Sequence, residues 1–96
     1  MIESNKFTPG PWSLDESRHA GCINRLNPFR HIGMVSAYQA TKEDKEENRA
    51  NALLISAAPD LLEALEAVMR AHDLGTHNFN AHDLATKAIS KARGQQ

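Results

Sequence analysis

The chain has 96 residues, of which 41% are hydrophobic and 24% charged, with 11 basic against 12 acidic side chains and a formal net charge of −1. So short a chain makes one domain, residues 1 to 96, and buries only about two-thirds of its unfolded surface, which excludes a large enzyme with a deep, walled active site. The even charge balance supplies no global field, which argues against a polybasic nucleic-acid binder and against an acidic mimic of one.

The N-terminal part is rich in turn formers. Thr8-Pro9-Gly10-Pro11 cannot be helical, because each proline lacks a donor and pushes its predecessor out of the α region. Trp12, Leu14 and Glu16 then alternate with Ser13 and Asp15, a weak period of two that fits a first strand. The segment from Gly21 to Leu26 is a second candidate. His31 to Tyr38 is the clearest, with Ile32, Met34 and Tyr38 on one parity and Val35 and Ala37 on the other, after an Asn27-Pro28 turn. Residues 11 to 39 are read as a three-stranded antiparallel meander.

From Thr41 the period changes to that of a helix. Thr41 with Asp44 approximates a capping box, and Glu43, Asp44, Glu46 and Glu47 place negative charge where the helix dipole favours it. Ala50, Leu54, Ala57, Leu61, Leu65, Val68 and His72 recur at steps of three and four, widened by Leu53, Ala58, Leu62 and Met69. This apolar stripe is the expected packing face against the sheet. Pro59 interrupts it and suits the N1 position of a second helix, so the pattern predicts helix 42 to 57, a kink, and helix 59 to 72. Gly75 is the expected C′ residue. Asn80 is a candidate N-cap for a third helix running to about Ala92, with Leu84, Ala85, Ala88, Ile89 and Ala92 as its apolar face. The last residues, Gly94-Gln95-Gln96, are expected to fray. The fold class is therefore α+β: a small antiparallel meander packed against a proline-kinked helix pair and a C-terminal helix.

A lone Cys22 forms no internal disulfide and builds no thiolate metal site, which fits a reducing compartment. The first twenty residues hold no apolar h-region, and no apolar run reaches the roughly 20 residues of a membrane span. A soluble cytoplasmic protein with no membrane contact is expected.

Thr8-Pro9-Gly10-Pro11-Trp12, followed by Asn51-Ala52-Leu53-Leu54-Ile55-Ser56-Ala57-Ala58-Pro59-Asp60-Leu61-Leu62-Glu63-Ala64-Leu65 and by Lys87-Ala88-Ile89-Ser90-Lys91-Ala92-Arg93-Gly94, resembles a widespread group of small phage and prophage proteins. Their pattern is TPGPW, short strands, a variant of NAxLIAAAPELLEAL, and a Lys- and Ala-rich last helix. The resemblance implies a phage accessory product acting in the host cytoplasm. Products of this kind bind and redirect a host machine, such as a defence nuclease or an immune signalling system, or sequester its nucleotide signal.

Chemistry-bearing residues are few. His72-Asp73, His77 and His82-Asp83 offer donors, but steps of five put successive histidines on different helix faces, so solvated loop and cap positions are the simpler reading and no metal is expected. Cys22 stands near Arg18, His19 and Arg25 without a nucleophile motif, and reads as a small half-buried strand thiol. The scattered glycines form neither a phosphate-cradling nor a dinucleotide fingerprint, so no cofactor is expected. Arg25, Arg30 and His31, interleaved with Trp12, Phe29 and Tyr38, are the candidate residues for a nucleic acid or nucleotide-like ligand; the same composition also suits an ordinary small sheet. Leu62 and Met69 on the wide apolar stripe, with the acidic Glu43, Glu46 and Glu47, are the candidate contacts for a host protein complex or a second copy of the chain. A non-enzymatic host-binding protein is the leading expectation, and an oligomeric ligand-sequestering protein the alternative.

Overall fold

The structure, a computed structural model, describes residues 6–16, 21–35, 41–73, 75 and 79–95. Three short strands, β1 (Ser13–Asp15), β2 (Cys22–Arg25) and β3 (Arg30–Met34), precede three helices, α1 (Lys42–Ser56), α2 (Ala58–Asp73) and α3 (Phe79–Ala92). The strands form one antiparallel sheet in the order β1-β2-β3, so the α+β meander expected from the sequence is present. β3 ends at Met34; residues 36–40, which carry the Tyr38 end of the expected strand, lie outside the described residues. Ile23 pairs with Gly33 and Asn24 with His31, which leaves Ile32 as a bulge residue.

Asn24 is buried, and both ends of its amide are satisfied. Its Nδ2 donates to Asp15 Oδ2 at 3.3 Å, and its Oδ1 accepts from His31 Nδ1 at 2.9 Å. A carboxylate accepts only, so the amide orientation is fixed, and with it the His31 proton on Nδ1. The three strands are thus tied by one polar chain through the side chains as well as by the ladder.

Local signals set the helix ends. Thr41 Oγ1 accepts from Asp44 N–H at 3.1 Å while Asp44 Oδ2 accepts from Thr41 N–H at 3.2 Å, a full capping box. α1 stops at Ala57, and α2 resumes with Leu61 N–H donating to Ala57 O at 2.8 Å. Pro59 is the second residue of α2 rather than the first; its missing donor would be an orphan at that position in any case. Gly75 takes the expected positive φ of 65°. α3 begins at Phe79, which puts Asn80 inside the helix instead of at its N-cap. Gly94 and Gln95 do not fray as expected, and Gln96 lies outside the described residues. Gln95 N–H donates to Ser90 O at 2.7 Å and Gly94 N–H to Lys91 O at 3.0 Å, with Gly94 at φ 72°, the paired bonds of a Schellman cap.

Packing departs further from the expected stripe. α2 and α3 form an antiparallel hairpin, with Asp60 beside Lys91 at one end and Ala67, Ala71 and Ala81 clustered at the other. Among the described residues, the buried apolar set is Ile23 together with alanines 52, 57, 64, 67, 71, 81 and 88. Only α1 packs on β1 and β2 to any extent, and α2 packs mainly on α3, so the helix pair does not cover the sheet as a unit. Leu54, Leu65 and Val68, expected in the core, are exposed. Alanines at 64, 67 and 71 let α3 approach closely, and the large residues at 62, 65 and 69 lie about 200° round the helix from 64, 67 and 71, on the far side.

Candidate functional site

One half-buried junction holds together the segments that carry the sequence resemblance. Trp12 Nε1 donates to Thr8 O at 3.0 Å and closes the TPGPW segment on itself. Gly10 lies so close to α2 that a Cβ there would stand 2.7 Å from Pro59 Cβ; only glycine admits that approach. From α3, Lys91 Nζ donates to Trp12 O at 2.7 Å and to Asp60 Oδ2 at 2.6 Å. The lysine and aspartate side chains are only 23% and 30% exposed, so the pair is shielded from much of the solvent. Lys91 was not singled out in the sequence; its signal is a lysine set between Ala88 and Ala92 on the small-residue face of α3. This junction fastens the fold, since its polar groups are already consumed by one another.

Two surfaces carry the candidate partner- and ligand-binding residues of the sequence. The first is apolar and runs along α1 and α2: Leu54, Ile55, Leu62, Leu65, Val68 and Met69 are all exposed, Leu65 at 60%. Leu62, Leu65 and Met69 follow steps of three and four, a single continuous stripe. The acidic Glu43, Glu46 and Glu47 are exposed at the start of α1, with Glu46 3.9 Å from Lys42 in an ion pair open to water. Such a pair adds little stability.

The second surface lies at the β2-β3 end of the sheet. Arg25 and Arg30 stand directly opposite each other in the ladder. They line a cavity of about 380 Å³ with Lys6, Phe7, Thr8 and Phe29. His31 does not join them: the next parity of β3 turns it to Asn24. Lys6 and Phe7 were missed in the sequence, where their only signal is a basic-aromatic pair just before the first proline.

The remaining candidates lie apart. Cys22 is half-buried in β2, while Arg18 and His19 lie outside the described residues. His72 and His82 are exposed on α2 and α3, and His77 is outside the described residues. Among the described residues no group of three or more His, Cys, Asp or Glu is placed to hold a metal ion, and no helix is long and apolar enough to cross a membrane.

The family model described as Salmonella phage P22 protein Y8K6 matches residues 1–96. The chain belongs to that phage protein family. No curated protein and no solved structure matches it. It is thus a phage-encoded protein of the accessory kind, with a small α+β fold.

Proposed function

We propose that this phage protein is a non-enzymatic accessory factor of the host cytoplasm that docks on a bacterial protein complex and inhibits or redirects it, a defence system being one such target. The observation that supports this reading is the uncovered apolar stripe of α1 and α2, with Leu62, Leu65 and Met69 facing away from the alanine seam that packs on α3. A helix face of this kind fits a hydrophobic groove through anchors spaced three and four apart. Glu43, Glu46 and Glu47 extend the surface with negative charge, which suits a groove rimmed by basic groups and speeds the encounter more than it strengthens the complex.

The test is capture of host protein by purified wild type, Leu65→Asp and Met69→Asp, beside light-scattering mass measurement of each. The reading expects one host protein at stoichiometric yield with wild type, lost in both variants while their melting temperatures stay at the wild-type value. A triple Glu43→Lys, Glu46→Lys, Glu47→Lys variant should associate more slowly and lose its salt dependence. A wild-type dimer that Leu65→Asp converts to monomer, with no host protein captured, would show that the stripe serves self-association and would overturn the proposal.

A further inference from the structure

We propose that the cavity at the β2-β3 end of the sheet binds a nucleotide, with phosphate held between Arg25 and Arg30 and the base stacked on Phe29. None of the exposed apolar residues of α1 and α2 lines this cavity, although Phe7 and Pro9 also border the space that Leu62 lines, and nothing in the site depends on a protein partner.

Three observations converge there. First, of the eight residues that line the cavity, Lys6, Arg25 and Arg30 are cationic and none is acidic, in a chain whose carboxylates outnumber its Lys and Arg side chains. The ion pairs among the described residues engage Lys42, Arg49, Lys87 and Lys91, so no described carboxylate pairs with these three cations. Second, Arg25 and Arg30 are a cross-strand pair. Like charges directly opposite one another weaken a sheet; an anion seated between them removes the repulsion and accepts from two guanidinium forks. Third, Phe29 is 68% exposed and Phe7 40% exposed, beside those cations. Exposed rings next to arginines are the combination that stacks bases while the backbone phosphate is gripped, and it tolerates any base because every base has a π face.

The size agrees with the chemistry. A cavity of about 380 Å³ falls at the small end of ligand sites, which suits one nucleotide unit rather than a duplex groove. A free nucleotide and one unit of a single strand share this chemistry, so the two sources are separated by experiment. Where the two signals differ is in the neighbours: a strand gains from additional phosphates along a charged track, and a free nucleotide does not.

The experiment is calorimetric titration of the full chain with adenosine monophosphate, a short single-stranded oligonucleotide, and inorganic pyrophosphate, with amide chemical shifts to locate each. The proposal expects shifts at Phe7, Arg25, Phe29 and Arg30, and a loss of affinity of about tenfold or more in Arg25→Ala and in Arg30→Ala. Phe29→Ala should weaken both base-bearing ligands and leave pyrophosphate unchanged, which an unspecific cationic patch would not do. Tighter binding of the oligonucleotide with a steep salt dependence identifies a single strand as the source, and equal affinity identifies the free nucleotide. Because Arg25 and Arg30 repel, both alanine variants should fold at least as stably as wild type, so failure to bind cannot be ascribed to unfolding. Absence of binding by all three probes, or binding that Arg25→Ala and Arg30→Ala leave intact, would overturn the proposal.

Discussion

Lys91 is a polar side chain that joins α3 to α2 and to the segment before β1, so replacing it tests the account of the fold directly. In Lys91→Met the aliphatic stem is largely kept, while Asp60 Oδ2 at 2.6 Å and Trp12 O at 2.7 Å both lose their donor. A hydrogen bond to a charged group contributes about 1.5–3 kcal/mol net, and a fully exposed ion pair about 0–1 kcal/mol. With side chains 23% and 30% exposed, this pair lies between those limits, and removing the donor should cost about 2 kcal/mol. In a domain of this size each kcal/mol moves the midpoint by roughly 4–8 °C, so the melting temperature should fall by about 8–16 °C. Calorimetry at two ionic strengths measures it, and a double-mutant cycle with Asp60→Asn should return a coupling of about 1 kcal/mol or more. A fall below about 4 °C, or strict additivity of the two changes, would mean that the junction is incidental and that the alanine seam alone holds α2 against α3.

Three further outcomes follow from the packing. Gly10→Ala forces a Cβ to 2.7 Å from Pro59 and should destabilise by about 1–3 kcal/mol in urea unfolding, as overpacking does. Ala64→Leu should destabilise by a similar amount, because it drives α2 from α3, whereas Leu65→Asp on the exposed side of the same helix should change stability by no more than about 0.5 kcal/mol. Thr41→Ala removes the acceptor for Asp44 N–H and should cost about 1 kcal/mol, read as earlier loss of helical circular dichroism on heating.

Elements whose ends are written locally were legible. The Thr41 and Asp44 box, the Pro59 break and the Gly75 stop each depend on residues within a turn of the boundary, and the helices begin and end within a residue or two of the expected places. The strands were legible as strands but not in extent, since the ladder and the Ile32 bulge depend on partners in other strands. The core was misread for a different reason. A stripe of leucines shows that a face is apolar; it does not say which neighbour covers it. The deciding pattern was the second one, alanines at 64, 67 and 71 facing alanines at 81 and 88, since small residues spaced by three and four on two successive helices mark a close hairpin contact. Of the site residues, Arg25 and Arg30 could be grouped by their place near a turn, but the parity that sends His31 to Asn24 emerged only from the register.

The segments by which the chain resembles small phage proteins divide by face. Gly10, Trp12, Pro59, Asp60, Ala64 and Lys91 meet one another or the alanine seam, and their chemistry is consumed in the fold. Leu54, Ile55, Leu62 and Leu65, in the same central segment, stay exposed to different degrees, from 38% at Leu62 to 60% at Leu65. A buried methyl contributes about 0.8 kcal/mol and a fully buried leucine about 1.5–3 kcal/mol, so each of these exposed side chains leaves part of that gain unrealised among the described residues. That exposure is the observation on which the proposed docking role rests. The cations and the exposed ring of the basic cavity, by contrast, Lys6, Arg25, Arg30 and Phe29, stand outside those shared segments, of which only Thr8 and Pro9 reach its wall. An apolar docking face is therefore the property to look for across related phage proteins, and the arginine pair the property to look for as particular to this one: exchanging residues 25–30 for those of a relative should alter ligand binding while leaving protein capture through Leu62, Leu65 and Met69 intact.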